Sequence, residues 1–221
     1  MDWYSLKLAL QVQNEIDNHP HSPLELARMF TSVQFEDTEI DFLDLLYGIM
    51  RAKKPQTVLE TGTHLGLSAL VIGLALKDNS RWQSPEPHLH TVEKNLEDAL
   101  VAYHKFTDMG LSNIISIHNY NSLEFIRNMY TGPPFEVIFF DSSRSIRPEE
   151  YYQLRTRNLI SPGCILLFHD TSNKRAEALP DQKESQDIYL SSLKQIALEC
   201  NGFINFDLSR GLTMLQWPGE Q

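Results

Sequence analysis

Two stretches of the 221-residue chain set titratable groups at the end of an apolar run. FFDSSRS, at 139–145, leads β-forming residues into Asp141, and LLFHDTS, at 166–172, leads another run into the pair His169-Asp170. As neighbouring strands of one sheet, the two runs would bring an imidazole and two carboxylates to one edge. That set has two chemistries. Asp141, His169 and Asp170 are competent ligands for a divalent metal, and a mixed nitrogen and oxygen set suits Mn²⁺ or Fe²⁺ better than Mg²⁺, which prefers an all-oxygen shell. Without a metal, His169 is a general base, its ring oriented and its imidazolium stabilised by Asp170 or Asp141. A structural reading also stands, in which Asp170 caps the next segment and His169 satisfies a buried backbone group. Arg144, in the same loop as Asp141, stays protonated and cannot act as a base. It can clamp a substrate carboxylate or phosphate, or stabilise an acceptor oxyanion, and a solvated loop arginine is the alternative.

A third stretch, TVLETGTHLGLS at 57–68, carries no nucleophile. It runs from a strand into an acid, Glu60, and two glycines, Gly62 and Gly66. Gly62 falls where a βα turn calls for positive φ, and Gly66 starts the next helix, where a side chain would block close approach of a ligand. A dinucleotide fingerprint would place glycines at 62, 64 and 67, but His64 and Leu67 hold two of those positions. An acid beside the glycines repels phosphate and favours an ammonium group. The residues therefore point to a cationic nucleoside without phosphates, and S-adenosylmethionine is the obvious one. Ser68, on the first helical turn, is placed for its carboxylate, and Thr63 lies in the turn between the glycines. Glu93, in LHTVEKN, ends the next strand and suits a ribose diol. Asn121 and Ser122, in HNYNS, follow the third strand and offer an amide and a hydroxyl to adenine. Asp141 closes the cofactor set on the side of the second site.

These groups need a frame that brings strand ends together. Residues 1–54 read as a helical cap belonging to the same domain. Leu6, Ala9, Leu10, Gln13 and Ile16 have helical spacing up to His19-Pro20, and a second helix opens at Asp37-Thr38-Glu39 and ends in Arg51, Lys53 and Lys54 before Pro55. Over 55–221 the pattern alternates. Strands are expected at 57–60, 88–93, 114–118, 137–141, 164–169, 203–206 and 212–217. Helices are expected at 66–77, 95–109, 122–130, 148–159 and 188–200. This is an α/β chain with a Rossmann-like, doubly wound, mostly parallel seven-stranded sheet, its last strand antiparallel after the turn at Ser209-Arg210-Gly211. The polar stretch 172–187 reads as a mobile loop.

In order and spacing, VLETGTHLGLSALVIGLAL, TVEKN, SIHNYNSLEFI, FEVIFFDSSRS and GCILLFHDTS resemble the motifs of class I S-adenosylmethionine-dependent methyltransferases. The similarity is greatest to small-molecule O-methyltransferases of the catechol and caffeoyl-CoA type and to macrocin-type sugar O-methyltransferases, and it covers about residues 38–217. The resemblance implies methyl transfer to a small-molecule hydroxyl. It places Glu60 and Gly62 beside the methionine moiety, Ser68 on its carboxylate, Glu93 on the ribose, and Asn121 with Ser122 near adenine. His64 departs from the small or aromatic residue of many members. In the catechol-type enzymes a fourth-strand Asp and a fifth-strand Asp-Asn pair bind a divalent metal, and here His169 and Asp170 stand in the places of that pair. Arg144 stands where those enzymes carry a catalytic lysine.

Composition narrows the partners. The net charge is −10 with scattered Lys and Arg, which argues against a protein that tracks a nucleic-acid backbone. No apolar run is long enough to span a bilayer, and MDWYSLKLALQ lacks the layout of a signal peptide. Cys164 and Cys200 lie far apart without metal spacing, as expected of reduced, buried thiols in a cytoplasmic protein. The expected partners are a small-molecule acceptor and a second copy of the chain. Two other functions stand beside methyl transfer: a module that binds the nucleoside without catalysis, and an NAD-binding enzyme, against which the missing third glycine speaks.

Overall fold

The computed structural model describes residue 2 and residues 38–82, 84–172, 183–206 and 210–218. The helix expected around Leu6 to Ile16, and most of the loop expected at 172–187, lie outside the described residues. In chain order the elements are α1 (Thr38–Lys53), β1 (Thr57–Thr61), α2 (Leu67–Ser80), β2 (His88–Val92), α3 (Leu96–Asp108), β3 (Ile115–His118), α4 (Ser122–Glu124), β4 (Phe135–Phe140), α5 (Arg147–Thr156), β5 (Ile160–His169), α6 (Lys183–Leu198), β6 (Asn201–Phe206) and β7 (Leu212–Gln216).

The sheet has seven strands in the order β3-β2-β1-β4-β5-β7-β6. The first five strands pair in parallel, and β7 runs antiparallel between β5 and β6. Strand period 2 divides the apolar residues between two faces. Val58, Leu89, Val137, Phe139 and Leu167 join Leu46 and Met50 of α1, Leu70 and Leu74 of α2 and Phe106 of α3 in one cluster. Leu59, Val92, Ile138, Phe140, Leu166 and Phe168 join Phe125, Tyr151 and Leu154 of α5, and Tyr189 and Ile196 of α6, in the other. α2 is apolar on nearly every side, because α1 covers what the sheet leaves. Polar bonds lock these two helices: the Arg51 guanidinium donates to Asn79 Oδ1 at 2.5 Å, and Asn79 Nδ2 donates to the Met50 carbonyl at 2.9 Å. Among the described residues no helix is long and apolar enough to cross a membrane. Cys164 is buried and Cys200 half-buried, both as free thiols.

Most boundaries shift by one to three residues, and three elements depart further from the sequence expectation. The helix expected at 122–130 is one α turn followed by a π-helical turn, Phe125–Met129. β5 begins at Ile160 instead of Cys164 and runs through Pro162-Gly163. Its register against β4 slips there, from Phe135 opposite Ile160 to Val137 opposite Ile165, and this irregularity accommodates the proline. α6 begins at Lys183, five residues earlier than its apolar spacing suggested, so 183–187 is helix and not loop.

Strand order reverses between β1 and β4, and ligands bind at such switch points. Two glycines let the chain close around this one. Gly62 has φ 88, and a Cβ there would sit 2.4 Å from the Asp141 carbonyl oxygen. Its missing side chain lets the turns after β1 and β4 touch. Gly66 has φ 86, and a Cβ there would come within 2.9 Å of Ala102 Cβ and the Phe106 ring. The space at Gly66 is thus filled by α3 and not by a ligand, which corrects the sequence reading. Gly66→Ala should lower stability by about 2–4 kcal/mol, from a left-handed alanine and an overpacked helix contact. Chemical denaturation measures it, and an unchanged midpoint would remove Gly66 from the fold-determining contacts.

Candidate active site

A cavity of about 210 Å³ opens at the switch point, and Gly62, His64, Glu93, Asn121, Ser122 and Asp141 contribute to its wall. Glu93 stands at the exit of β2, buried, with both carboxylate oxygens anchored. Oε2 accepts the His64 backbone N–H at 2.8 Å and Oε1 accepts that of Asn95 at 2.8 Å. A carboxylate has about four acceptor sites, so each oxygen keeps one for a ligand. His64 adopts φ 48 to bring its N–H there. Asn121 caps α4, its side chain accepting from Leu123 N at 3.0 Å. Tyr120 and Ile146 add apolar surface at this end of the cavity. Neither residue carried a sequence signal, since an isolated aromatic or branched residue in a loop has no periodicity to mark it.

Four expected cofactor contacts turn out differently. Glu60 is fully buried and its carboxyl faces inward, accepting from Ser68 Oγ at 2.5 Å and from Thr91 Oγ1 at 2.5 Å. Thr63 Oγ1 lies 2.5 Å from Thr91 Oγ1 and extends the same chain. The side chains of Glu60, Thr63 and Ser68 therefore form a hydrogen-bonded layer beneath the cavity and do not line it. Ser122 lines the cavity but spends its hydroxyl on Glu150, which also accepts from Thr61 Oγ1 at 2.9 Å. Spacing revealed which residues sit at strand ends. It did not reveal Glu150, a helix residue whose burial exists only once α5 docks beside β1.

The second constellation does assemble. His169 Nδ1 lies 2.8 Å from Asp141 Oδ1, so the imidazole donates to the carboxylate there, and in the neutral ring Nε2 is the basic nitrogen. The ring stacks on Phe42 at 4.6 Å between centroids. Burial works against the imidazolium, but the Asp141 and Asp170 carboxylates outweigh it and hold His169 above its ordinary range. A residue that the strand pattern did not mark, Arg147, ties the cluster together. It is 2% exposed. Its Nη2 donates to Asp141 Oδ1 at 3.1 Å and to Asp170 Oδ2 at 3.0 Å. Its Nε donates to the Ser142 carbonyl at 2.8 Å, and Nη1 to the His169 carbonyl at 2.5 Å. Burial opposes its charge, while Tyr189, Asp170 and Asp141 favour it and keep it protonated. It is the first residue of α5, one position before the helix expected from sequence, where the dipole disfavours a cation and nearby acids are needed.

Asp170 accepts on its other oxygen from Arg210 Nε at 2.9 Å. Arg144, expected at the substrate, donates instead to Gln186 Oε1 on α6. One ligand atom from each of Asp141, His169 and Asp170 lies within 4.8 Å of the others, close enough in distance for a single ion. Yet three of the four carboxylate oxygens of that set, Asp141 Oδ1 and both of Asp170, already meet guanidinium groups. With those groups in place the donor set does not suit a divalent metal.

Burial pushes the Glu60 carboxyl up to about 8, against the bonds from Ser68 and Thr91 that favour its ionised form. A raised folded-state pKa gives stability that is complete below the unfolded value of 4.5 and lost as pH rises through about 8. Glu60→Gln cannot ionise and escapes that loss. Its stability relative to wild type should therefore improve between pH 5 and pH 8.5 by on the order of a few kcal/mol. Urea melts at both pH values measure this, and a constant difference would mean that Glu60 is ionised throughout.

Several solved structures share this architecture at low identity. The O-methyltransferase TomG from Streptomyces achromogenes, in complex with SAM, aligns with a TM-score of 0.66 at 18% identity, over 81% of each chain. An O-methyltransferase from Bacillus cereus, in complex with SAH, gives 0.68 at 14% identity over 96% of this chain and 90% of its own. The SAH-bound Podospora anserina methyltransferase PaMTH1 gives 0.65 at 16% identity over 96% and 95%. At such identities the likeness establishes the fold. A sequence-family match adds to it: residues 59–171, just over half of the chain, fit the family described as a methyltransferase domain. They run from β1 to the residues just past β5, and so include both the anchored Glu93 and the Asp141–His169 pair; the chain belongs to the methyltransferase domain family.

Proposed function

We propose that the protein transfers a methyl group from S-adenosylmethionine to a hydroxyl oxygen of a small molecule. The observation that carries this reading is one cavity with Glu93 at one side and Asp141, bonded to His169, at the other. The similar structures named for O-methyl transfer, two of them with SAM or SAH, support it. A dinucleotide enzyme would set its pyrophosphate on the N-terminus of α2. The described wall of the cavity includes no residue of α2, and Leu67 and Ala69 there are buried. This favours the nucleoside without phosphates. The free thiols suit a cytoplasmic setting.

Bound S-adenosylmethionine would supply an electrophilic methyl on a sulfonium. Glu93 would accept the ribose hydroxyls through its remaining lone pairs, and Tyr120, Asn121 and Ile146 would hold the adenine. At the other side His169 would take the acceptor's proton at Nε2 as the acceptor oxygen gains the methyl. Asp141 holds the ring in the tautomer that leaves Nε2 basic and stabilises the imidazolium.

Two measurements test this. S-adenosylhomocysteine should raise the melting temperature of the purified protein, and Glu93→Ala should weaken its binding by about 1–3 kcal/mol, through loss of bonds to a charged acceptor. Equal affinity in wild type and variant would take Glu93 out of the site. Asp141→Asn should leave binding of S-adenosylhomocysteine nearly intact while slowing methyl transfer by roughly two orders of magnitude or more, because the ring loses its tautomer and its counter-charge. A variant as fast as wild type would place the chemistry elsewhere. Cofactor binding with no acceptor methylated in a broad screen would favour the binding module.

A further inference from the structure

We propose that Arg147 is a built-in cation standing where a divalent metal would bridge Asp141 and Asp170, so that the protein binds no ion there and turns over without one. The inference deepens the methyl-transfer reading and rests on it for the statement about turnover; the statement about binding stands by itself.

An ion shared by Asp141, His169 and Asp170 needs carboxylate oxygens with lone pairs to give. Asp141 Oδ1 and Asp170 Oδ2 both face Arg147 Nη2, at 3.1 and 3.0 Å. One nitrogen thus bridges the two side chains that an ion would bridge. Asp141 Oδ1 also takes the His169 proton, and Asp170 Oδ1 takes Arg210 Nε at 2.9 Å. Two carboxylates already face two guanidiniums, so no net negative charge remains to offset the dehydration of a divalent ion.

Arg147 is also hard to displace. A guanidinium has five N–H groups. Here they meet five acceptors: the carbonyls of Ser142 and His169, the Tyr189 hydroxyl at 3.4 Å, and the two carboxylates. The Tyr189 ring lies under the charge, 5.4 Å from Cζ. Swinging Arg147 aside would leave two backbone carbonyls and two carboxylates without this donor. Its charge does part of what a metal would do, holding Asp141 and Asp170 together at the strand ends. It offers no open coordination position, so the acceptor's proton must go to a side chain.

The test is Mn²⁺ binding to the EDTA-washed full chain, followed by the electron paramagnetic resonance of free Mn²⁺. Wild type should take up no stoichiometric Mn²⁺ up to about 1 mM. Arg147→Met removes the guanidinium from Asp141 Oδ1 and Asp170 Oδ2. It should gain one site at least about tenfold tighter than any wild-type binding, and that site should vanish when Asp170→Asn is added. One equivalent of Mn²⁺ bound by wild type and lost in Asp141→Asn would overturn the proposal, and this arm does not require Arg147→Met to fold. A folded Arg147→Met that gains no site would overturn it as well. Methyl transfer unaffected by EDTA is the expected activity result, and transfer abolished by EDTA and restored by Mn²⁺ would also overturn the proposal. If no acceptor is methylated, the O-methyltransferase reading fails while the Mn²⁺ result still decides the occupancy of the site.

Discussion

One buried guanidinium organises the end of the sheet. Arg147 joins the turn after β4, through Asp141 and the Ser142 carbonyl, to the end of β5, through Asp170 and the His169 carbonyl. The Tyr189 hydroxyl, which also donates to the His169 carbonyl at 2.9 Å, brings α6 into the same network. A charge this far from water is tolerated only when its donors are satisfied and its counter-ions are close. That requirement runs both ways. The arginine needs the two acids, and the acids, at strand exits with apolar runs behind them, need the arginine.

A second polar layer lies under the cofactor side of the cleft. Glu60 and Glu150 are both buried, and each accepts from two hydroxyl groups, Ser68 and Thr91 for the one, Ser122 and Thr61 for the other. Burial raises both carboxyls above the usual range. They hold the β1 exit to α2 and β2 on one side and to α4 and α5 on the other. The acid of the glycine-rich turn thus acts through the layer it anchors, while Glu93, held by two backbone N–H groups, presents a charge to the cavity. The two glycines serve the same closure: Gly62 admits the Asp141 backbone and Gly66 admits α3.

The alternation of short apolar runs with helical spacing was enough to give the parallel sheet, its antiparallel last strand and the residues at each strand exit. These are local signals: a fully buried strand must be apolar throughout, and a crossover helix must follow it. The positions of Glu93, Asp141, His169 and Asp170 were therefore legible, but which of the two acids orients His169 was not; the fold chose Asp141. Boundaries failed where a local rule was overridden, as at Pro162-Gly163, where a bulge let the strand continue.

Tertiary structure alone decided what each polar side chain is bound to. Ser68, Thr63 and Ser122 stand beside the cavity in sequence, but their hydroxyls are taken by buried acids, because a desolvated carboxylate competes for any donor within reach. Gly66 makes room for Phe106, forty residues on, a contact that no spacing within the glycine turn encodes. Arg147 is one more basic residue in a polar loop until β4, β5 and α6 close around it. The sequence determined where the chemistry sits, since strand ends are set by local pattern. The fold determined which charge occupies that place, since long-range burial chooses the partner.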